Sequence, residues 1–176
     1  MKANILLIAA AMIGSASKAQ NTNEQKGVVI KKGFTIYSEI TIQSSPENIW
    51  KILMNFEEYK NWNPFIIDIS GDAQVGNTIE AHIKPTDKSP MTFKPKVLVR
   101  EENREFRWIG KFLMPRIFDG EHVFQIIDNN DGSCTFIQYE KFRGALVPFM
   151  KKMLNVNSLD GFKKMNQALK ERAEQK

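Results

Sequence analysis

The C-terminal stretch, residues 144–176, reads GALVPFMKKMLNVNSLDGFKKMNQALKERAEQK. Its apolar residues recur mostly at spacings of three, four and seven, which predicts one amphipathic helix. Pro148 suits the first turn, where its missing N–H is not needed. A helix of about 28 residues would extend roughly 40 Å, and its apolar face needs a large surface to pack on. The predicted apolar stripe comprises Leu146, Phe149, Met150, Met153, Phe162, Met165 and Leu169.

The preceding residues supply that surface, because apolar and polar residues alternate in about seven runs between Phe34 and Arg143. Ser45 as N-cap and Pro46 as first residue predict a short helix after the first run. Pro95 lies within the run from Met91 to Glu102 and indicates an edge or a bulge. Short turns between successive runs favour antiparallel pairing. We predict an α+β fold, a bent antiparallel sheet of about seven strands around the long C-terminal helix.

The N-terminus has the pattern of a secretory signal peptide. Lys2 precedes an apolar stretch at 5–13, and small residues occupy both recognition positions before Gln20. We predict a signal peptide over 1–19 with cleavage after Ala19, a flexible lead-in over 20–32, and a single domain over 33–176. The protein is therefore expected to be periplasmic or secreted. Cys134 is the only cysteine, so an internal disulfide is excluded.

Charge and motifs narrow the possible partners. The formal net charge of +5 falls by two when Lys2 and Lys18 are removed, to about +3, which does not require a nucleic-acid partner. The sequence contains no Gly-rich phosphate loop, no G-x-S-x-G motif and no cluster of metal ligands. We expect a monomer without a metal or other cofactor and without nucleic acid.

Two groups of residues form a recognisable signature. They are Ser45-Pro46-Glu47, Trp50, Tyr59, Trp62 and Pro64 near the start, and His122, Phe124, Gly132, Glu140, Phe142, Gly144 and 166–169 near the end. This signature resembles the START/Bet v 1-like (SRPBCC) superfamily, in particular its bacterial polyketide cyclase/dehydrase-like branch. The resemblance implies a helix-grip fold with a hydrophobic cavity between the sheet and the C-terminal helix. Members bind lipids, sterols, polyketides or plant hormones there, and a minority catalyse cyclisation or aromatisation. Others assist chaperones, a role that conflicts with export.

The last two strands carry polar residues on a largely apolar face. A five-residue turn at 129–133 sets a register in which His122 lies opposite Glu140 and Phe124 opposite Gln138. These polar groups would anchor a ligand, or His122 oriented by Glu140 would act as a general acid or base, or the pair would only fix the register. His82, in contrast, shares the polar face of its strand and is expected on the surface.

We therefore predict the binding of a small hydrophobic ligand (lipid, sterol-like or polyketide-like) without turnover. The alternative is a polyketide cyclase/aromatase-like or lyase-like enzyme that uses His122 with Glu140. The apolar loop 112–114, flanked by Lys111 and Arg116, either packs on the C-terminal helix or forms a gate in transient contact with a membrane surface. The predicted ligand-binding residues are Trp62, Trp108, Phe112, His122, Phe124, Gln138, Glu140, Phe142, Phe149, Met150 and Met153.

Overall fold

The computed structural model describes residues 34–86, 89–112 and 116–175. The predicted signal peptide, the lead-in, residues 113 and 114 of the predicted gate, and residue 115 lie outside the described residues. So do the side chains of Phe112 and Met153. None of the helices in the described part is long and apolar enough to cross a membrane.

Within these ranges the chain forms eight strands and three α-helices, with one 3₁₀ turn. The elements are β1 (Phe34–Ile42), α1 (Pro46–Met54), the 3₁₀ turn (Phe56–Glu58), α2 (Tyr59–Trp62), β2 (Ile66–Ser70), β3 (Glu80–Ile83), β4 (Met91–Phe93), β5 (Lys96–Glu101), β6 (Glu105–Phe112), β7 (Phe118–Asp128), β8 (Cys134–Arg143) and α3 (Val147–Glu174).

All strand pairs are antiparallel, as predicted. Five strands follow the order β1-β8-β7-β6-β5, and three follow the order β2-β3-β4. A bridge between Thr78 and Lys96 joins the two groups. The backbone N–H of Ile79 also donates to the carbonyl of Pro95 over 3.0 Å. The two groups form one bent wall on which α3 lies, the expected helix-grip arrangement.

The expected continuous strand from Met91 to Glu102 is wrong. It is divided into β4 and β5, which belong to different strand groups. The division falls at Pro95, which has no N–H to donate to a ladder. This division raises the strand count from about seven to eight.

Local signals place α1 as predicted. The Ser45 hydroxyl accepts a hydrogen bond from the N–H of Asn48 over 3.3 Å, and Pro46 opens the helix. The buried face consists of Ile49, Trp50 and Leu53. This short helix therefore closes one end of the core.

The apolar stripe of α3 is confirmed in its C-terminal half and wrong at its start. Phe162, Met165 and Leu169 are fully buried. At the other end Phe149 is 86 % exposed and Leu146 is 37 % exposed. Counting back from Phe162 in steps of three and four gives the positions that face inward at the start of α3. Those positions are 158, 154, 150 and 147, so Val147 and Leu154 are buried instead.

Gly161 allows α3 to approach β2 closely. A Cβ atom at this position would overlap with the ring of Phe65. That ring contacts Phe162 edge-on, with centroids 5.6 Å apart. A glycine in mid-helix lowers helix stability, and here it makes room for an aromatic side chain at the edge of the cavity.

Candidate functional site

A cavity of about 90 Å³ lies between α3 and the bent sheet. Its walls come from β3, β4, β6, β7 and β8 with their flanking residues, and from the first half of α3. They are mainly apolar. The lining residues are Phe65, Ala81, Ile83, Pro85, Met91, Phe93, Pro95, Trp108, Gly110, Phe118, Gly120, His122, Glu140, Phe142, Leu154 and Ser158.

The strand register brings a row of functional side chains to this cavity. His122 on β7 lies opposite Glu140 on β8, as predicted. On the other side of β7, His122 lies opposite Trp108 on β6. The ring centroids of Trp108 and His122 are 5.2 Å apart. His122 is thus flanked by an aromatic ring on one strand and a carboxyl group on the next.

The buried Gln138 amide lies against the imidazole of His122. Its Nε2 is placed 3.0 Å from Nε2 of His122. In this orientation of the amide, Nε2 of the imidazole accepts, and the ring proton of the neutral imidazole is on Nδ1. Nδ1 faces Oε2 of Glu140 at 3.7 Å. This tautomer presents an N–H group towards the carboxyl.

Burial leaves both groups of this pair uncharged near neutral pH. Desolvation lowers the pKa of His122 from 6.5 to about 3 and raises the pKa of Glu140 from 4.5 to about 8. The distance of 3.7 Å exceeds that of a hydrogen bond. His122 is 1 % exposed and the Glu140 side chain 19 % exposed. The pair is therefore a polar corner with unused hydrogen-bonding capacity and not an ion pair.

Gly120 makes room for this corner. Gly110 on β6 and Gly120 on β7 lie directly opposite each other, and both line the cavity. A Cβ atom at Gly120 would overlap with Oε1 of Glu140. Neither glycine was predicted from the sequence, although glycine inside a strand is a signal for close approach of another group.

Polar contacts fasten the β3–β4 side of the cavity to α3. The Thr86 hydroxyl donates to Oδ2 of Asp160. Nζ of Lys164 donates to the Thr86 hydroxyl over 3.2 Å and lies 2.8 Å from Oδ2 of Asp160. These contacts connect the segment after β3 with the part of α3 next to Ser158, which lines the cavity.

The structure brings some of the predicted residues to the cavity and places others elsewhere. Trp108, His122, Glu140 and Phe142 line it. The remaining described ones do not belong to its lining. Phe124 and Gln138 are buried against His122, Met150 is half-buried against the core, Trp62 packs edge-on against Tyr59, and Phe149 is exposed.

The lining contributed by β4 and by Leu154 and Ser158 was not predicted from the sequence either. His82 is a half-exposed residue whose Nε2 lies 3.1 Å from Oε1 of Glu80, in line with the expected surface position. In the described ranges, no three His, Cys, Asp or Glu side chains are grouped so that they could hold a metal ion.

The sequence of residues 33–174 matches a family model described as "Polyketide cyclase / dehydrase and lipid transport". The chain belongs to this family. No curated protein matches this family member by sequence.

Solved structures of other proteins have the same fold as this family member. A START superfamily protein from Mycobacterium smegmatis is 19 % identical, with a TM-score of 0.62 over 80 % of this chain and 97 % of that chain. Protein Ms6760 from the same organism is 12 % identical, with a TM-score of 0.66 over 84 % and 95 %. The Zhui aromatase/cyclase from Streptomyces sp. R1128 is 11 % identical, with a TM-score of 0.65 over 80 % and 93 %. These similarities confirm the START-like helix-grip fold.

Proposed function

We propose that this family member binds a small hydrophobic ligand in the cavity and anchors the ligand's polar end at His122 and Glu140. The observation that carries the proposal is the polar corner of His122 and Glu140 in a mainly apolar cavity. His122 is buried and Glu140 is mostly enclosed; both groups are uncharged near neutral pH and too far apart to satisfy each other. A ligand atom placed between them would supply the missing hydrogen bonds.

The cavity volume of about 90 Å³ restricts the size of the ligand. Pockets for drug-sized ligands measure about 300–1,000 Å³, and an apolar cavity of about 150 Å³ holds a benzene ring. The cavity in this conformation is smaller than both. A lipid, sterol-like or polyketide-like ligand requires a wall to move. Met91 and Phe93 form such a wall, because β4 is three residues long and both side chains are partly exposed.

The family description and the aromatase/cyclase among the structural neighbours support a polyketide-like or lipid-like ligand. The same relatives support catalysis as the second candidate function, and the pKa of Glu140 favours it. A carboxyl group with a pKa of about 8 is protonated near neutral pH and is suited to act as a general acid. The neutral imidazole of His122 would then orient the substrate.

Native mass spectrometry tests the binding proposal directly. The protein, purified from its own host, should carry a ligand that organic extraction removes. Ser158→Leu should fill the cavity and abolish the bound mass. Asn157→Leu is the matched control, because Asn157 is equally half-buried on α3 but does not line the cavity. Equal retention of ligand by both variants would contradict the proposal.

Two further variants separate binding from catalysis. If the corner anchors a ligand, His122→Ala should weaken binding by about 1–3 kcal/mol, the cost of losing a buried hydrogen-bond partner. Glu140→Gln should weaken it less, since the amide keeps an acceptor. If the corner catalyses, both changes should reduce turnover by about 10²-fold or more at nearly unchanged affinity. If both changes lower the stability of the protein and alter neither affinity nor turnover, the pair has a structural role.

We also propose that the protein acts outside the cytoplasm as a monomer. The charged start, the apolar stretch at 5–13 and the small residues before Gln20 support export. Light scattering of the exported form should give the mass of one chain.

A further inference from the structure

The first turns of α3 present an apolar side chain to solvent. Phe149 is 86 % exposed, more than any other large apolar residue in the described part of the chain. Leu146, three positions earlier, is 37 % exposed. The opposite face of these turns packs inward through Val147 and Leu154. Phe149 therefore points away from the core and contributes nothing to it.

Basic residues surround this apolar pair. Lys152 lies one turn after Phe149 on the same helix face, and Arg143 is exposed shortly before the helix begins. The N–H of Ala145 donates to the carbonyl of Arg116 over 3.1 Å, which brings exposed Arg116 to the same end of the helix. Residues 143–152 include no acidic residue. Asp119, three positions after Arg116, is half-buried and accepts a hydrogen bond from the Arg116 N–H.

We propose that this surface docks the protein onto an anionic lipid bilayer, with Phe149 inserted at the interface. The docking surface comprises Arg116, Arg143, Leu146, Phe149 and Lys152. An aromatic side chain gains free energy at the boundary between headgroups and acyl chains without a shaped partner. Basic residues beside it are attracted to acidic headgroups.

A second copy of the chain fits this surface less well. A stable protein interface buries about 800 Å² on each partner, whereas one phenylalanine buries roughly 150–250 Å². Two copies meeting here would also bring their basic residues together. An anionic bilayer offers an apolar environment to the exposed ring of Phe149 and acidic headgroups to the basic residues around it.

The docking surface lies next to the cavity. Leu154 and Ser158, which line the cavity, follow Phe149 by five and nine positions on α3, about 7.5 and 13.5 Å along the helix. A protein docked through Phe149 would hold its cavity close to the bilayer. Transfer of an apolar ligand between the two rests on the proposed function, but the docking itself does not.

Vesicle flotation tests the proposal. The protein starting at Gln20 is used so that the apolar segment 5–13 cannot contribute, since the described core lies within residues 34–175. It should float with vesicles of phosphatidylcholine containing about a third phosphatidylglycerol, and high salt should weaken the binding. Phe149→Ser should reduce the partition constant about tenfold or more. Lys152→Gln should reduce it about fivefold.

Val75→Ser is the matched control, because Val75 is 59 % exposed on the connection between β2 and β3. It should bind vesicles like the unmodified protein, and so should the cavity variant Ser158→Leu, whatever its ligand content. Equal binding to pure phosphatidylcholine, or unchanged binding by Phe149→Ser, would overturn the proposal. So would light scattering that shows a dimer which Phe149→Ser converts to a monomer.

Discussion

The Glu140 carboxyl should make the stability of the protein depend on pH. Its pKa is raised by burial from 4.5 to about 8. Between these pH values the unfolded chain has released a proton that the folded protein still holds. The free energy of unfolding then falls by about 1.4 kcal/mol for each pH unit. The stability contributed by the protonated carboxyl is complete below the pKa of Glu140 in the unfolded chain, 4.5. It is lost as the pH rises through the pKa of Glu140 in the folded protein, about 8.

The titration of His122 has the opposite effect on stability, over a lower pH range. Burial lowers its pKa from 6.5 to about 3, so the free energy of unfolding rises with pH between these values. Between pH 4.5 and 6.5 the two slopes cancel. Only the Glu140 slope remains from pH 6.5 to about 8. Over these roughly 1.5 pH units the protein should lose about 2 kcal/mol.

Urea unfolding at a series of pH values across this range measures the effect. The unmodified protein should lose about 2 kcal/mol, and Glu140→Gln should remain level, because it has no proton to release. Glu102→Gln is the matched control, since Glu102 is exposed in the turn between β5 and β6. It should reproduce the loss. Parallel profiles for Glu140→Gln and the unmodified protein would refute the reasoning.

Four further predictions concern packing, tautomer and processing. Phe162→Ala should lower the free energy of unfolding by about 3–5 kcal/mol in a reversible titration, because Phe162 is fully buried; a loss below about 1 kcal/mol would contradict this packing. Gly161→Ala should also lower the free energy of unfolding, because its Cβ would overlap with the ring of Phe65. This loss should exceed the gain of about 1 kcal/mol that alanine brings to a helix. A rise in melting temperature would exclude that contact. Gln138→Leu should lower the free energy of unfolding by about 1–3 kcal/mol. It should also shift the ¹⁵N spectrum of His122 away from that of the Nδ1–H tautomer. An unchanged spectrum would argue against the tautomer assignment. N-terminal sequencing of the native protein should begin at Gln20 within a residue or two, and a chain that still begins at Met1 would contradict export.

The predictable parts of the fold depend on short-range signals. The α1 cap follows from Ser45 and Pro46, which are adjacent in sequence. The pairing of His122 with Glu140 follows from the length of one turn, because a hairpin loop fixes the register of both its strands. The polar corner could therefore be located by counting residues.

The remaining parts depend on contacts between distant segments. The start of α3 contains apolar residues in two phases, Leu146 with Phe149 and Val147 with Leu154, and only packing decides which face turns inward. The strand pattern around Pro95 likewise does not show that its two halves join different strand groups. The cavity wall contributed by β4 was missed for this reason.

The close approach of Gly120 and Glu140 has a consequence for other members of the family. A side chain at the position of Gly120 would displace a carboxyl at the position of Glu140 from the place beside the histidine that it takes here. The two positions should therefore vary together during evolution: a relative that keeps the acid should keep the glycine, and one that loses the glycine should carry a smaller or apolar residue in place of the acid. This pair of positions would sort homologous sequences into those with a polar corner and those with a wholly apolar cavity.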